Sequence, residues 1–153
     1  MRNQFNNNYK FALGNALCET ALSGITALPA SGSYINVRAY PAIHIIVHLG
    51  TLHGSDSPVF EPKCSDAVNG TLDRIDATLA KTVDVSADDG QMLYWYIETA
   101  TLPLGHHFIS LAVSGTLTNG SYADVVYLLE GTSLPVTQDA TVLPTDNDFV
   151  WAG

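Results

Sequence analysis

Residues 43–50, IHIIVHLG, set His44 and His48 four positions apart in an otherwise apolar run. On a helix that spacing would present two imidazoles to one metal ion. On a strand it does not, because side chains alternate between faces and, at ~3.3 Å per residue, the two stand about 13 Å apart. Zinc needs each nitrogen within ~2.1 Å of one ion. The run is β-branched, eight residues long and closed by Gly50. It predicts a strand with Ile43, Ile45, Val47 and Leu49 on one face and His44, Ile46 and His48 on the other. No metal site is expected there.

The remaining reactive side chains give no stronger pattern. His106 and His107 are adjacent and would face opposite sides of a strand opening after LPLG (102–105). Together with His53 they would make a metal site only through a coincidence of folding. Asp84, Asp88, Asp89, Asp146 and Asp148 are calcium-ligand types, but their spacing matches no calcium loop, and the DDG at 88–90 is explained as a turn. G-x-S-x-G, a phosphate-binding loop, a dinucleotide fingerprint and H-E-x-x-H are all absent. The acids sit mostly in turns, Glu98 apart, so a buried carboxylate paired with an exposed one is not expected. The sequence therefore predicts no catalytic residues, no metal and no cofactor.

Such a chain must be understood through its elements. Its 153 residues suit one domain with a core of ordinary size. Charged residues make up 14% of the chain, well under the roughly 25% of a typical domain, which leaves a surface of Ser, Thr, Asn, Gly and Tyr. The 15 acids and 6 bases give a formal net charge of −9, and the bases are scattered from Arg2 to Lys81. Nucleic-acid binding needs clustered Lys and Arg, so it is not expected. No run approaches the ~20 apolar residues that span a bilayer, and Asn15 and Glu19 break the apolar patch near the N-terminus, so neither a membrane span nor a signal peptide is read. Cys18 and Cys64 lack metal or redox spacing and read as reduced, partly buried thiols.

Turn signals recur at ASGS (30–33), HGSDSP (53–58), VNGT (68–71), ADDG (87–90), LPLG (102–105) and TNGS (118–121). Asn-Gly and Asp-Gly between apolar runs are hairpin cues. Strand-length segments rich in Val, Ile, Thr and Tyr lie between them at 34–39, 42–49, 59–64, 79–85, 92–100, 107–114 and 122–129. The pattern predicts an all-β, single-domain antiparallel β-sandwich, jelly-roll-like. Only 11–22 and 71–80 have helical character. The expected organisation is an N-terminal arm and first extended segment over 1–29, the sandwich over 30–138, and a C-terminal tail over 139–153.

In MLYWYIETA (92–100), Leu93, Trp95 and Ile97 form one face and Met92, Tyr94 and Tyr96 the other. Either the strand is central and covered on both sides, or Tyr94 and Tyr96 form an exposed platform for a neighbouring subunit or a sugar ring. The arm carries Phe5, Tyr9 and Phe11 among asparagines, and the acidic tail closes on Phe149, Val150 and Trp151. Polar segments with spaced aromatics suit draping over a partner. Patching the chain's own sheet, or disorder, are the other readings. The candidate interface residues are thus Phe5, Tyr9, Phe11, Tyr94, Tyr96, Phe149 and Trp151.

From about residue 34 to 138 the order of YPAIHIIVHLG, FEPKCSD, YWYIETATL, HHFISLAVSG, YADVVYLLEG and LPVTQ resembles small virion proteins of tailed bacteriophages, of the capsid decoration (cement) or minor capsid type. The likeness lies in a strand ending at Gly50, another ending at Ser65-Asp66, Ile97-Glu98-Thr99, and a Val-rich strand followed by Pro135. It implies a non-enzymatic β-sandwich that binds and stabilises the head lattice. Its partners would be the major capsid protein and other copies of itself, as a homo-oligomer with a trimer among the options. It would be made in a bacterial cytoplasm and end on the outer surface of the virion. A net charge of −9 agrees with the outside, since packaged DNA would repel it within. A carbohydrate-binding sandwich using Tyr94, Tyr96 and Trp151, and a head–tail adaptor or tail subunit, are the alternatives.

Overall fold

The computed structural model describes residues 9–14, 20–118 and 120–131, with the backbone alone at 9–11 and 13. In chain order the strands are β1 (Tyr9–Leu13), β2 (Thr20–Ala21), β3 (Ala27–Leu28), β4 (Ile35–Asn36), β5 (Ala42–Leu49) and β6 (Ser57–Ser65). They continue as β7 (Asp73–Arg74), β8 (Lys81–Thr82), β9 (Met92–Glu98), β10 (Phe108–Thr116) and β11 (Tyr122–Glu130). Two single 3-10 turns, Ala77–Leu79 and Thr99–Thr101, are the helical pieces among the described residues.

The strands form an antiparallel β-sandwich of two sheets. The first runs β1-β11-β5-β9, with β2 also pairing β11. The second runs β3-β10-β6-β7, with β4 on β10 and β8 on β6. The described parts of the two segments with helical character are otherwise: 11–13 pairs with β11 within β1, 20–21 pairs with it as β2, and 71–80 supplies β7 and a one-turn 3-10 helix. The apolar spacing of such short runs does not separate helix from strand, and an unpaired edge of β11 decides for strand. Strands β1, β2 and β3 all precede residue 30, so the sheets include part of the segment assigned to the arm.

Turn chemistry is as the sequence suggests, with positive φ at Gly32, Gly90, Gly105 and Gly120. The hairpin reading holds at VNGT, which joins the antiparallel pair β6 and β7, but fails between the long strands. Successive long strands alternate between sheets: β5 lies in the first, β6 in the second, β9 in the first, β10 in the second and β11 in the first. The HGSDSP and TNGS loops are therefore crossovers, because a turn fixes where the chain reverses but not which neighbour the next strand finds.

The core fills the space between the sheets. Ile43, Ile45, Val47 and Leu49 on β5 and Val125, Tyr127 and Leu129 on β11 meet Phe60, Ile109, Leu111 and Val113 of the second sheet. Tyr127 is wholly buried. Its phenol donates to the Leu28 carbonyl and accepts the Leu111 amide hydrogen at 2.9 Å, linking two residues that are partners in the β3–β10 ladder. Ser110 Oγ donates to the Pro29 carbonyl beside it at 2.7 Å. Gly14 has no space for a side chain: a Cβ there would lie 2.6 Å from Val125 Cβ.

Two acids depart from the expectation that acids sit in turns at the surface. Glu61 lies within β6, buried, and pairs with Arg74 and, at 3.4 Å, with Lys63. Asp56 belongs to the β5–β6 loop but is only 5% exposed. Its carboxylate accepts the Thr118 amide at 2.8 Å and the Ser121 hydroxyl at 2.6 Å, both from the β10–β11 loop. These bonds hold its carboxyl below the usual carboxylate range.

Candidate functional surface

The outward face of the first sheet departs from the usual polar dress of a solvent-facing sheet. On β5 the histidine face points away from the core, as alternation requires, with His44 and Ile46 half-buried and His48 exposed. Register sets His44 opposite Tyr96, Ile46 opposite Tyr94 and His48 opposite Met92. On the other flank, Leu128 lies opposite His44, Val126 opposite Ile46 and Asp124 opposite His48. An antiparallel sheet with one face on a core normally shows polar residues on the other. Here Ile46, Val126, Leu128, Met92, Tyr94 and Tyr96 share the solvent side.

Met92 is 68% exposed, Tyr94 51% and Tyr96 47%. Among the described residues this face of β9 is therefore open, unlike that of a central strand covered on both sides. Only the Leu93–Trp95–Ile97 side turns inward, where Trp95 Nε1 donates to the Leu79 carbonyl at 2.7 Å. Strand β9 ends the β1-β11-β5-β9 path, and Lys81 reaches over from β8. Its amino group donates to the Tyr94 carbonyl at 3.0 Å and sits 4.7 Å from the centre of the Trp95 ring. Lysine on a strand edge discourages edge-to-edge pairing.

A polar chain fixes the aromatic rings. His44 Nε2 lies 2.8 Å from Glu130 Oε1, and His44 Nδ1 lies 2.7 Å from the Tyr94 hydroxyl. A carboxylate only accepts, so in the neutral imidazole Nε2 donates to Glu130 and Nδ1 accepts the Tyr94 hydrogen. The His44 ring stands 5.9 Å from that of Tyr94, nearly parallel, and 5.3 Å from that of Tyr96, tilted. Carboxylate, imidazole and hydroxyl in line is the connectivity of a nucleophile relay. On a half-exposed sheet face, which does not exclude water, its effect is positional: it holds the Tyr94 ring in place.

The sequence candidates divide in three. Tyr94 and Tyr96 lie on this face. Tyr9 and Phe11 lie on β1 in the same sheet, at register positions opposite Glu130 and Leu128, with only their backbone described. Phe5, Phe149 and Trp151 lie outside the described residues, as does Cys18. Sequence reasoning missed Ile46, Val126 and Leu128. The signal was VVYLL at 125–129, a run apolar on both alternating faces in a sheet with one face on the core.

Among the described residues the metal-type side chains are dispersed; Asp146 and Asp148 lie outside them. His106 Nε2 bonds Asp73 Oδ2 at 3.0 Å, a contact that raises its pKa, and His53 Nδ1 accepts the Ser55 amide at 3.3 Å. Asp84 accepts from Ser86, Asp88 from the Asp84 amide, and Asp89 from the Leu52 amide, each tying a loop. No group of three or more His, Cys, Asp or Glu gathers among the described residues. Cys64 is buried and free, and burial pushes its thiol pKa up. No helix among the described residues is long and apolar enough to cross a membrane. No protein-family model, curated protein or solved structure matches the chain.

Proposed function

We propose that the chain is a non-enzymatic structural protein of a phage virion, seated on the outer head lattice through the outward face of its β1-β11-β5-β9 sheet. The observation that carries the reading is the apolar, aromatic solvent face formed by Ile46, Val126, Leu128, Met92, Tyr94 and Tyr96. Contiguous exposed apolar surface rimmed by polar residues marks an interaction site. Tyrosine and methionine are the residue types that interfaces favour. The partners are the major capsid protein and other copies of the chain, and the negative charge suits the outside of a DNA-filled shell. Decoration, adaptor and tail subunits differ in copy number, which quantitative mass spectrometry of the particle measures.

The test adds purified protein to undecorated capsids of the particle that carries it and measures occupancy after sedimentation. Tyr94→Ser combined with Tyr96→Ser should lower occupancy at least tenfold with little change in melting, since both rings are half-exposed. Undiminished occupancy in the double variant removes the face from the contact. A second reading, a carbohydrate platform, draws support from the contiguous rings of His44, Tyr94 and Tyr96. Glycan-array binding that disappears on Tyr96→Ala would replace the capsid reading with that one.

A further inference from the structure

Beside the aromatic face lies a cleft of about 370 Å³, and Tyr96 lines it. Ile75, Leu79 and Ile97 supply apolar wall, and Asp76 and Glu98 are the acidic residues of its lining. Asp76 Oδ1 caps the 3-10 turn by accepting the Thr78 amide at 2.8 Å and the Thr78 hydroxyl at 2.9 Å. No hydrogen bond to its Oδ2 occurs among the described residues. The Glu98 carboxylate likewise has no hydrogen-bond or ion-pair partner among them. The neighbouring cations are engaged elsewhere: Lys81 on the Tyr94 carbonyl and Arg74 on Glu61.

We infer that this cleft receives an arginine or lysine side chain of the protein partner that covers the aromatic face. The inference rests on the reading of that face as a protein interface and adds the chemistry of what enters beside it. A long basic side chain is an apolar stem carrying a charged head. The stem fits Ile75 and Leu79, the head meets Asp76 and Glu98, and the ring of Tyr96 offers a cation–π surface. Charge complementarity points the same way, since the chain carries net −9. Tyr96 belongs to both surfaces, so one partner segment can occupy them together. An anionic ligand or a wholly apolar one would leave the two carboxylates opposed or desolvated.

The probe is N-acetyl-arginine amide, titrated into the ¹⁵N-labelled full-length chain, with the citrulline counterpart as a neutral isostere. Saturable shifts should appear at the amides of Ile75, Leu79, Tyr96 and Thr101, with citrulline at least fivefold weaker. Asp76→Asn with Glu98→Gln should weaken arginine binding at least fivefold; asparagine caps about as well as aspartate, so the turn is kept. Absent shifts, shifts elsewhere, or equal response to citrulline overturn the inference. Occupancy on undecorated capsids separates it from the reading beneath it. If the charge-neutralised variant binds capsids normally while Tyr94→Ser with Tyr96→Ser does not, the cleft inference falls and the face stands. Loss in both supports the two together, and loss in neither overturns both.

Discussion

Ser121 Oγ lies 2.6 Å from Asp56 Oδ2, and the two residues come from two loops that cross between the sheets at the same end of the sandwich. His53, in the same loop as Asp56, donates its amide to Ser121 Oγ at 3.0 Å. The carboxylate thus adds to the backbone bonds that Gly50 and Thr51 make with Tyr122 at the start of β11, and holds the far part of the 50–56 loop against Thr118 and Ser121. Asp56→Asn keeps the shape but offers an NH₂ where a hydroxyl or amide hydrogen must be accepted. It should lower the melting temperature by several degrees and loosen loops 50–56 and 117–121, read as faster amide exchange at Thr118. Because the fold holds this carboxyl below its ordinary pKa, its contribution is complete at neutral pH. That contribution should fade as pH falls below about 4, the ordinary value of an aspartate. The Asn variant should lose this part of the acid dependence, by thermal melts from pH 7 to 3.

Tyr127→Phe removes the oxygen between the Leu28 carbonyl and the Leu111 amide. Each orphaned buried group costs roughly 1–3 kcal/mol, and the strands can recover part by closing up, so a loss of about 2 kcal/mol is expected by denaturant unfolding. Burial pushes the phenol pKa up. A group whose pKa rises on folding gives its full contribution below the unfolded value, about 10 for tyrosine, and loses it as pH climbs beyond. Wild type should thus lose stability above about pH 10 more steeply than the Phe variant.

Gly14→Ala drives a methyl into Val125, whose Cβ stands 2.6 Å from the site. The Gly14 amide donates to the Val125 carbonyl at 2.8 Å, so the strand cannot withdraw without breaking a ladder bond. Overpacking of this kind costs about 1–3 kcal/mol. The variant should melt earlier, with exchange protection lost first in β1 and the facing part of β11. Unchanged protection there would show that β1 contributes little to the sheet.

His48→Ala should leave melting unchanged, as the side chain is exposed. His44→Ala breaks the contacts to Glu130 and Tyr94 and should cost about 1 kcal/mol, the usual net worth of a partly exposed hydrogen bond. Neither zinc nor a chelator should move the melting temperature of the wild type. A metal that bound the native state would raise it by mass action, and such a rise would overturn the strand geometry at 42–49.

The alternation of β5 was legible because its Ile43–Ile45–Val47–Leu49 face is apolar without interruption, and the bounds of the long strands followed to within a few residues. What stayed hidden was partner choice. HGSDSP and TNGS announce reversals, yet the strands they join go to opposite sheets, and only the packed core decides that. Asp56 read as a turn residue since its partners lie 62 and 65 positions away. The outward apolar face was half visible: Tyr94 and Tyr96 drew attention as aromatics, while Ile46, Val126 and Leu128 passed as ordinary strand residues. Their place on the half-open outer side depends on the sheet having a single covered face, which no local pattern states.

The sheet order carries a consequence for biosynthesis. Strand β11, the last described strand along the chain, lies between β1 and β5 in the first sheet. Until residue 130 has left the ribosome, β1 and β5 have no mutual partner, and the apolar flanks of β5 remain open. With synthesis at roughly 5–20 residues per second, that interval is several seconds for a nascent chain. The Lys81 contact on β9 guards one edge in the finished molecule, but β5 has no such guard while β11 is still unmade. Yield in a heterologous host should therefore depend on how fast residues 50–130 are translated and on chaperone supply, more than on the stability of the finished sandwich.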